Sequence, residues 1–113
     1  GLNTSGQLGI GSTTQQITPV TVNLGLGIIP KSVHAQGDST CAIVSDGVED
    51  SLKCWGNNSN GQLGIGSTTQ QNSPVSVLLS SGEIPRVISM GTNFSCVLLV
   101  NGNVKCWGAN AFG

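Results

Sequence analysis

The chain has 113 residues, of which 17 are Gly, with only 8% charged residues and a formal net charge of −1. Its four cations, Lys31, Lys53, Arg86 and Lys105, are scattered, which excludes the basic stripe of a nucleic-acid binder. The 37% hydrophobic share, much of it β-branched, excludes a disordered chain, and no apolar run approaches a membrane span. Gly or Pro interrupts every window of about 12 residues that a helix would need, so the fold class expected is all-β. In chain order, the turn-rich stretch Gly6–Gln16 comes first, followed by a predicted strand over Pro19–Val22 and another over Ile29–Ala35 ending at Gly37. Cys41–Val44 and Leu52–Trp55 then read as a hairpin across a loop from Ser45 to Asp50. A second turn-rich stretch, Asn57–Gln71, precedes predicted strands at Pro74–Val77 and Ile84–Met90, with Gly91 as punctuation. A last hairpin pairs Cys96–Val100 with the strand that carries Lys105-Cys106-Trp107.

The order repeats because the text repeats. Gly6–Gln16 returns letter for letter as Gly61–Gln71, and Lys53-Cys54-Trp55-Gly56 returns as Lys105-Cys106-Trp107-Gly108. The chain therefore divides into a first repeat at 1–55, a second at 56–107 and the start of a third at 108–113. A period of roughly 50 residues lies in the range of β-propeller blades. About two such blades are expected, forming an incomplete propeller or a segment of a repeat array. The strand Cys96–Val100 is apolar on both faces, which an antiparallel strand shows when both sides are covered, as between blades. Trp55 and Trp107, with Leu8 and Leu63, are the candidates for inter-blade packing. Two blades cannot close a propeller, so the apolar flanks are expected to be covered by further covalent repeats or by head-to-tail copies of the chain.

The cysteines form two equivalent pairs. A three-residue loop, Val100-Asn101-Gly102, with Gly102 left-handed, puts Leu99 opposite Asn103 and Cys96 opposite Cys106. Facing α-carbons on antiparallel strands are about 4.5–5.5 Å apart, within disulfide range. Cys41 and Cys54 come to face each other in the same way. The alternative is a pair of buried reduced thiols in each blade. Disulfides imply an oxidising compartment, hence an extracellular or cell-surface location. A zinc site is not indicated, because neither Cys-x-x-Cys spacing nor added His ligands occur.

Other motifs favour structure over chemistry. Gly61–Thr68 resembles a phosphate-cradling loop but lacks the Lys that such a loop needs. It reads as a turn, with Gly6, Gly9, Gly61 and Gly64 at positive φ and Gln7, Gln62 and Asn58 bonding the loop backbone. Asp46, Glu49 and Asp50 crowd the first hairpin loop; they match no full calcium pattern and read as a solvated loop. His34 has no nucleophile partner, and no catalytic residue, cofactor or metal is expected. Asn3, Asn57 and Asn93 each open an Asn-x-Ser triplet and are candidate glycan acceptors.

Cys-Trp-Gly-x-Asn-x-x-Gly-Gln-Leu-Gly-x-Gly at Cys54–Gly66, with Pro-Val-x-Val at Pro74–Val77 and Gly-x-x-x-x-Cys at Gly91–Cys96, resembles the regulator of chromosome condensation repeat family. The resemblance implies a β-propeller, usually of seven four-stranded blades, with the sequence repeat offset from the blade. Founding members of that family bind nucleosomes and act as nucleotide-exchange factors for a small nuclear GTPase. This chain is more similar to the secreted, cysteine-paired bacterial type and lacks the basic surface a chromatin binder needs. Fold alone does not transfer function. The expected role is a non-enzymatic extracellular assembly module that forms a ring or filament. The alternative is a protein- or glycan-binding scaffold that presents Gly56–Asn60 and Thr68–Asn72, and nucleotide exchange is a remote third.

Overall fold

Two antiparallel sheets form around the two cysteine hairpins in the computed structural model, which describes residues 1–113. The first sheet runs in the order β1 (Ile29–Gln36), β2 (Ser39–Ser45), β3 (Asp50–Gly56) and β4 (Gln71–Ser76). The second holds β5 (Pro85–Met90), β6 (Phe94–Leu99) and β7 (Val104–Gly108). There is no helix, and the all-β expectation holds. The neighbouring sheets are stacked blades of a partial propeller, in a slab of 40 × 38 × 19 Å.

Local chemistry sets both hairpins. In the second, the Leu99 N–H donates to the Asn103 carbonyl at 2.8 Å, and Gly102 takes φ +89°, so the loop is Val100-Asn101-Gly102. In the first, Ser45 pairs with Asp50, which shortens the loop to Asp46–Glu49. The Asp46 carboxylate accepts the Val48 and Glu49 amides at 2.8 and 3.0 Å. Those bonds, the Glu49 amide foremost, hold its carboxyl below the ordinary carboxylate range.

The main core lies between the sheets. Cys41, Ile43, Leu52 and Cys54 of the first sheet meet Ile88, Val97 and Leu99 of the second, with Leu63 from the connecting turn wedged among them. Leu63 is fully buried, which stabilises by about 1.5–3 kcal/mol relative to an exposed side chain. On the other face of the first sheet, Ala42, Val44 and Trp55 are covered by Val22, Leu24 and Ile28.

Three expectations need correction. Strand β2 is buried along both faces from Ser39 to Val44, but β6 is covered on one face only, and Val100 is exposed. The second sheet has three strands rather than four, and no strand pairs with the outer edge of β7. Pro19–Val22 is not a strand. Its counterpart β4 pairs with the Lys-Cys-Trp strand of the preceding unit, and no such strand precedes residue 19 here.

Candidate functional site

The repeated turn is organised by one buried asparagine per copy. Asn58 is 0% exposed; its Nδ2 donates to the carbonyls of Ser67 and Thr69 at 2.9 and 3.0 Å, and its Oδ1 accepts the Leu63 amide at 3.0 Å. Asn3 makes the same three bonds to Ser12, Thr14 and Leu8, at 2.8, 3.0 and 2.9 Å. An amide is the side chain that both donates twice and accepts, and burial makes each bond costly to lose. Gln7 and Gln62 fold back on their own turns, accepting the Ser5 and Asn60 amides at 2.9 Å each.

These clasps fix the backbone on which the tryptophans rest. The Trp55 indole N–H donates to the Gln7 carbonyl at 2.9 Å, and that of Trp107 to the Gln62 carbonyl at 2.8 Å. Each ring lies against a glycine. A Cβ on Gly9 would sit 2.6 Å from Trp55 Nε1, and one on Gly64 2.7 Å from Trp107 Nε1. The joint therefore needs Gly at these positions, which also carry φ +72° and +69°. Trp107 reaches the turn between β3 and β4 of the first sheet, so this contact bridges the two sheets. Trp55 is buried at 3%, whereas Trp107 is half-buried beside the open edge of β7. Leu63 is fully enclosed, while Leu8, whose turn has sheet on one side only, is half-buried.

Two hydroxyls complete the joint, and the sequence reading missed them. Thr40 Oγ1 donates to the Gln7 carbonyl at 2.8 Å, and Ser95 Oγ to the Gln62 carbonyl at 2.9 Å. They are recognisable once the register is known, because Thr40 lies opposite Trp55 and Ser95 opposite Trp107. Gln7 Nε2 also donates to Asp38 Oδ1 at 3.0 Å, whereas buried Gln62 Nε2 has no partner. Asn93 occupies the position equivalent to Asp38.

Cys41 is bonded to Cys54 and Cys96 to Cys106, in each case directly across the ladder with Cα atoms 4.0 Å apart. Loops of these sizes correspond to about 3 kcal/mol per bridge in the chain-entropy account. The first bridge is buried against the second sheet; the second lies on the uncovered face. Lys105 pairs with Glu83 at 2.7 Å, and its hydrogen bond, with that from the Ser80 amide, lowers the Glu83 pKa.

The surface that remains available is polar. Thr13, Thr14 and Gln15 are exposed on one turn and Thr68, Thr69 and Gln70 on the other. The turn face is narrower than expected, because Asn58 points inward and Asn57 is half-buried. Asn3 is not an available glycan acceptor in this fold, since its side chain is buried and its amide nitrogen bonds two carbonyls. Of the three candidates only Asn93 is exposed.

The comparisons with known proteins agree with this geometry. Two repeat profiles, each described as the regulator of chromosome condensation (RCC1) repeat, match residues 51–98 and 86–113. Ultraviolet-B receptor UVR8 of Arabidopsis thaliana is 30% identical over the whole chain, which spans 25% of that protein. E3 ubiquitin-protein ligase HERC2 of Homo sapiens is 33% identical over 96% of the chain, covering 2% of its own length. Among solved structures, human WBSCR16 superposes with a TM-score of 0.83 at 29% identity, over 96% of this chain and 27% of that one. Prp20p from Saccharomyces cerevisiae gives a TM-score of 0.62 at 23% identity, over 70% and 18%. The chain thus spans about a quarter or less of the relatives it matches. With the duplicated Gly-Gln-Leu-Gly turn, the Cys-Trp-Gly strand end and the stacked sheets all in place, the chain belongs to the regulator of chromosome condensation repeat family.

Proposed function

We propose that the chain is a non-catalytic segment of a protein-binding β-propeller scaffold. One observation carries the reading: the same Thr-Thr-Gln sequence is displayed twice, exposed, on backbones pinned by buried Asn3 and Asn58. A pinned backbone carrying exposed hydroxyls and amides binds at low ordering cost, because the entropy is lost on folding and not on association. Prp20p, which shares the fold, is described for its binding to Gsp1p and histones. Here the near-neutral charge and scattered cations favour a polar protein ligand over a nucleosome or a nuclear GTPase. The test is affinity capture on the immobilised chain, compared with a variant carrying Thr13→Arg, Thr14→Arg, Thr68→Arg and Thr69→Arg. A protein retained by the parent and lost by the variant supports the reading; equal retention by both rejects it.

A second reading, assembly outside the cell from copies or further repeats, is favoured by the disulfides and by the uncovered flank of the second sheet. There Val87, Phe94 and Val104 are 48%, 47% and 63% exposed. Those are large values for apolar side chains on one sheet face.

A further inference from the structure

The second sheet ends at β7, whose outer edge has no strand beside it. Because Leu99 donates to Asn103, ladder bonds alternate so that Val97 and Lys105 are bonded while the Cys96/Cys106 and Leu98/Val104 pairs are not. The N–H and C=O groups of Val104 and Cys106 therefore point away from β6. Those of Cys106 border a groove of about 370 Å³ lined also by Gly64, Val77, Leu78, Leu79 and Trp107.

In the first sheet the equivalent edge is filled. β4 lies along β3 with Cys54 opposite Val75 and Lys53 opposite Ser76, and the Val77 N–H donates to the Leu52 carbonyl at 3.0 Å. The sequence there is Gln71-Asn72-Ser73-Pro74-Val75-Ser76-Val77. Its counterpart, Gln16-Ile17-Thr18-Pro19-Val20-Thr21-Val22, lies outside any sheet. Ile17 is 92% exposed and Val20 42%, and the amides of Val20 and Thr21 make no hydrogen bond within the chain.

We propose that a second copy of this chain docks head to tail at this edge, with its Gln16–Val22 segment pairing with β7 as the missing fourth strand. The internal joint supplies the register: Val20 opposite Cys106, Thr21 opposite Lys105, and the Val22 N–H on the Val104 carbonyl. The same docking lays the Leu8 turn and the Trp55 side of one copy over Leu98, Val104 and the Cys96–Cys106 bridge of the other. That is how the second sheet covers Ile43 and Leu52, which are 4% and 1% exposed. The occupant is the chain itself because one molecule carries both halves of a joint that it already makes once internally. Strand addition supplies main-chain bonds, and the apolar face supplies specificity. The contact is heterologous, so it propagates into a ring or a filament. This inference rests on the assembly reading above and is independent of the ligand-binding one.

Sedimentation equilibrium of the chain over a wide concentration range tests it, with Val20→Pro and Thr21→Pro as a matched pair and near-ultraviolet circular dichroism as the check on folding. The Val20 N–H would point at the Cys106 carbonyl, whereas that of Thr21 would point away from β7. Association that weakens at least about tenfold in Val20→Pro and stays near the parent value in Thr21→Pro is expected, since proline removes a ladder donor only at the first position. Association that is equal in the two variants overturns this joint and leaves assembly by another surface standing. A parent chain that stays at the mass of a single molecule at every concentration overturns both.

Discussion

Replacing Gly64 with Ala isolates the contact on which sheet stacking depends. The new Cβ would sit 2.7 Å from Trp107 Nε1, 2.9 Å from Cε2 and 3.0 Å from Val77 Cγ1, so the ring must move. Left-handed backbone costs a residue with a Cβ about 1–2 kcal/mol. Displacing the ring loses the indole bond to the Gln62 carbonyl, about 0.5–1.5 kcal/mol, together with part of its burial. The total is roughly 2–4 kcal/mol. Gly102→Ala is the internal reference, because φ is +89° there but a Cβ would meet nothing within 4 Å. It should cost the backbone contribution alone, about 1–2 kcal/mol. Urea unfolding followed by tryptophan fluorescence and far-ultraviolet circular dichroism gives both values. Equal losses for the two variants would refute the ring-on-glycine joint.

Trp55→Ala should cost about 3–5 kcal/mol as a large-to-small core change, and more than Trp107→Ala, because Trp55 is the more enclosed ring; thermal melts rank them. Asn93→Asp should stabilise by about 1 kcal/mol, since it supplies buried Gln62 Nε2 with the carboxylate partner that Asp38 gives Gln7; a lower urea midpoint would contradict this. Asp46 and Glu83 both have lowered pKa values in the folded chain. Their stabilisation is therefore present above the unfolded carboxyl pKa and is lost as pH falls through the folded one. Melting temperature should decline modestly as pH drops below about 4.5, and an Asp46→Asn, Glu83→Gln variant should flatten that slope.

The hairpin register was legible in the sequence because it is local. Gly102 allows one short loop, and counting outward from it places Cys96 opposite Cys106, as the ladder has it. The repeated text made the two stacked sheets legible for a similar reason, since identical turns fold alike. Features that depend on distant partners were harder to read. Pro19–Val22 has the composition of β4, but a strand exists only where another strand bonds it, and composition is silent about that neighbour. Thr40 and Ser95 look like any other hydroxyls until the ladder sets them opposite the two tryptophans. Asn3 reads as a glycan acceptor by its triplet, yet the turn closes around its amide and buries it.

The ring-on-turn joint is the premise of the stacking, the open flank and the docking register alike. Proton NMR reads it directly, through nuclear Overhauser contacts from the indole N–H of each tryptophan. The expected spectrum shows Trp55 contacting Gly9 and Trp107 contacting Gly64, with both glycine Hα resonances shifted by the ring. An indole of Trp107 that contacts neither Gly64 nor Gln62 in the folded chain would contradict the account.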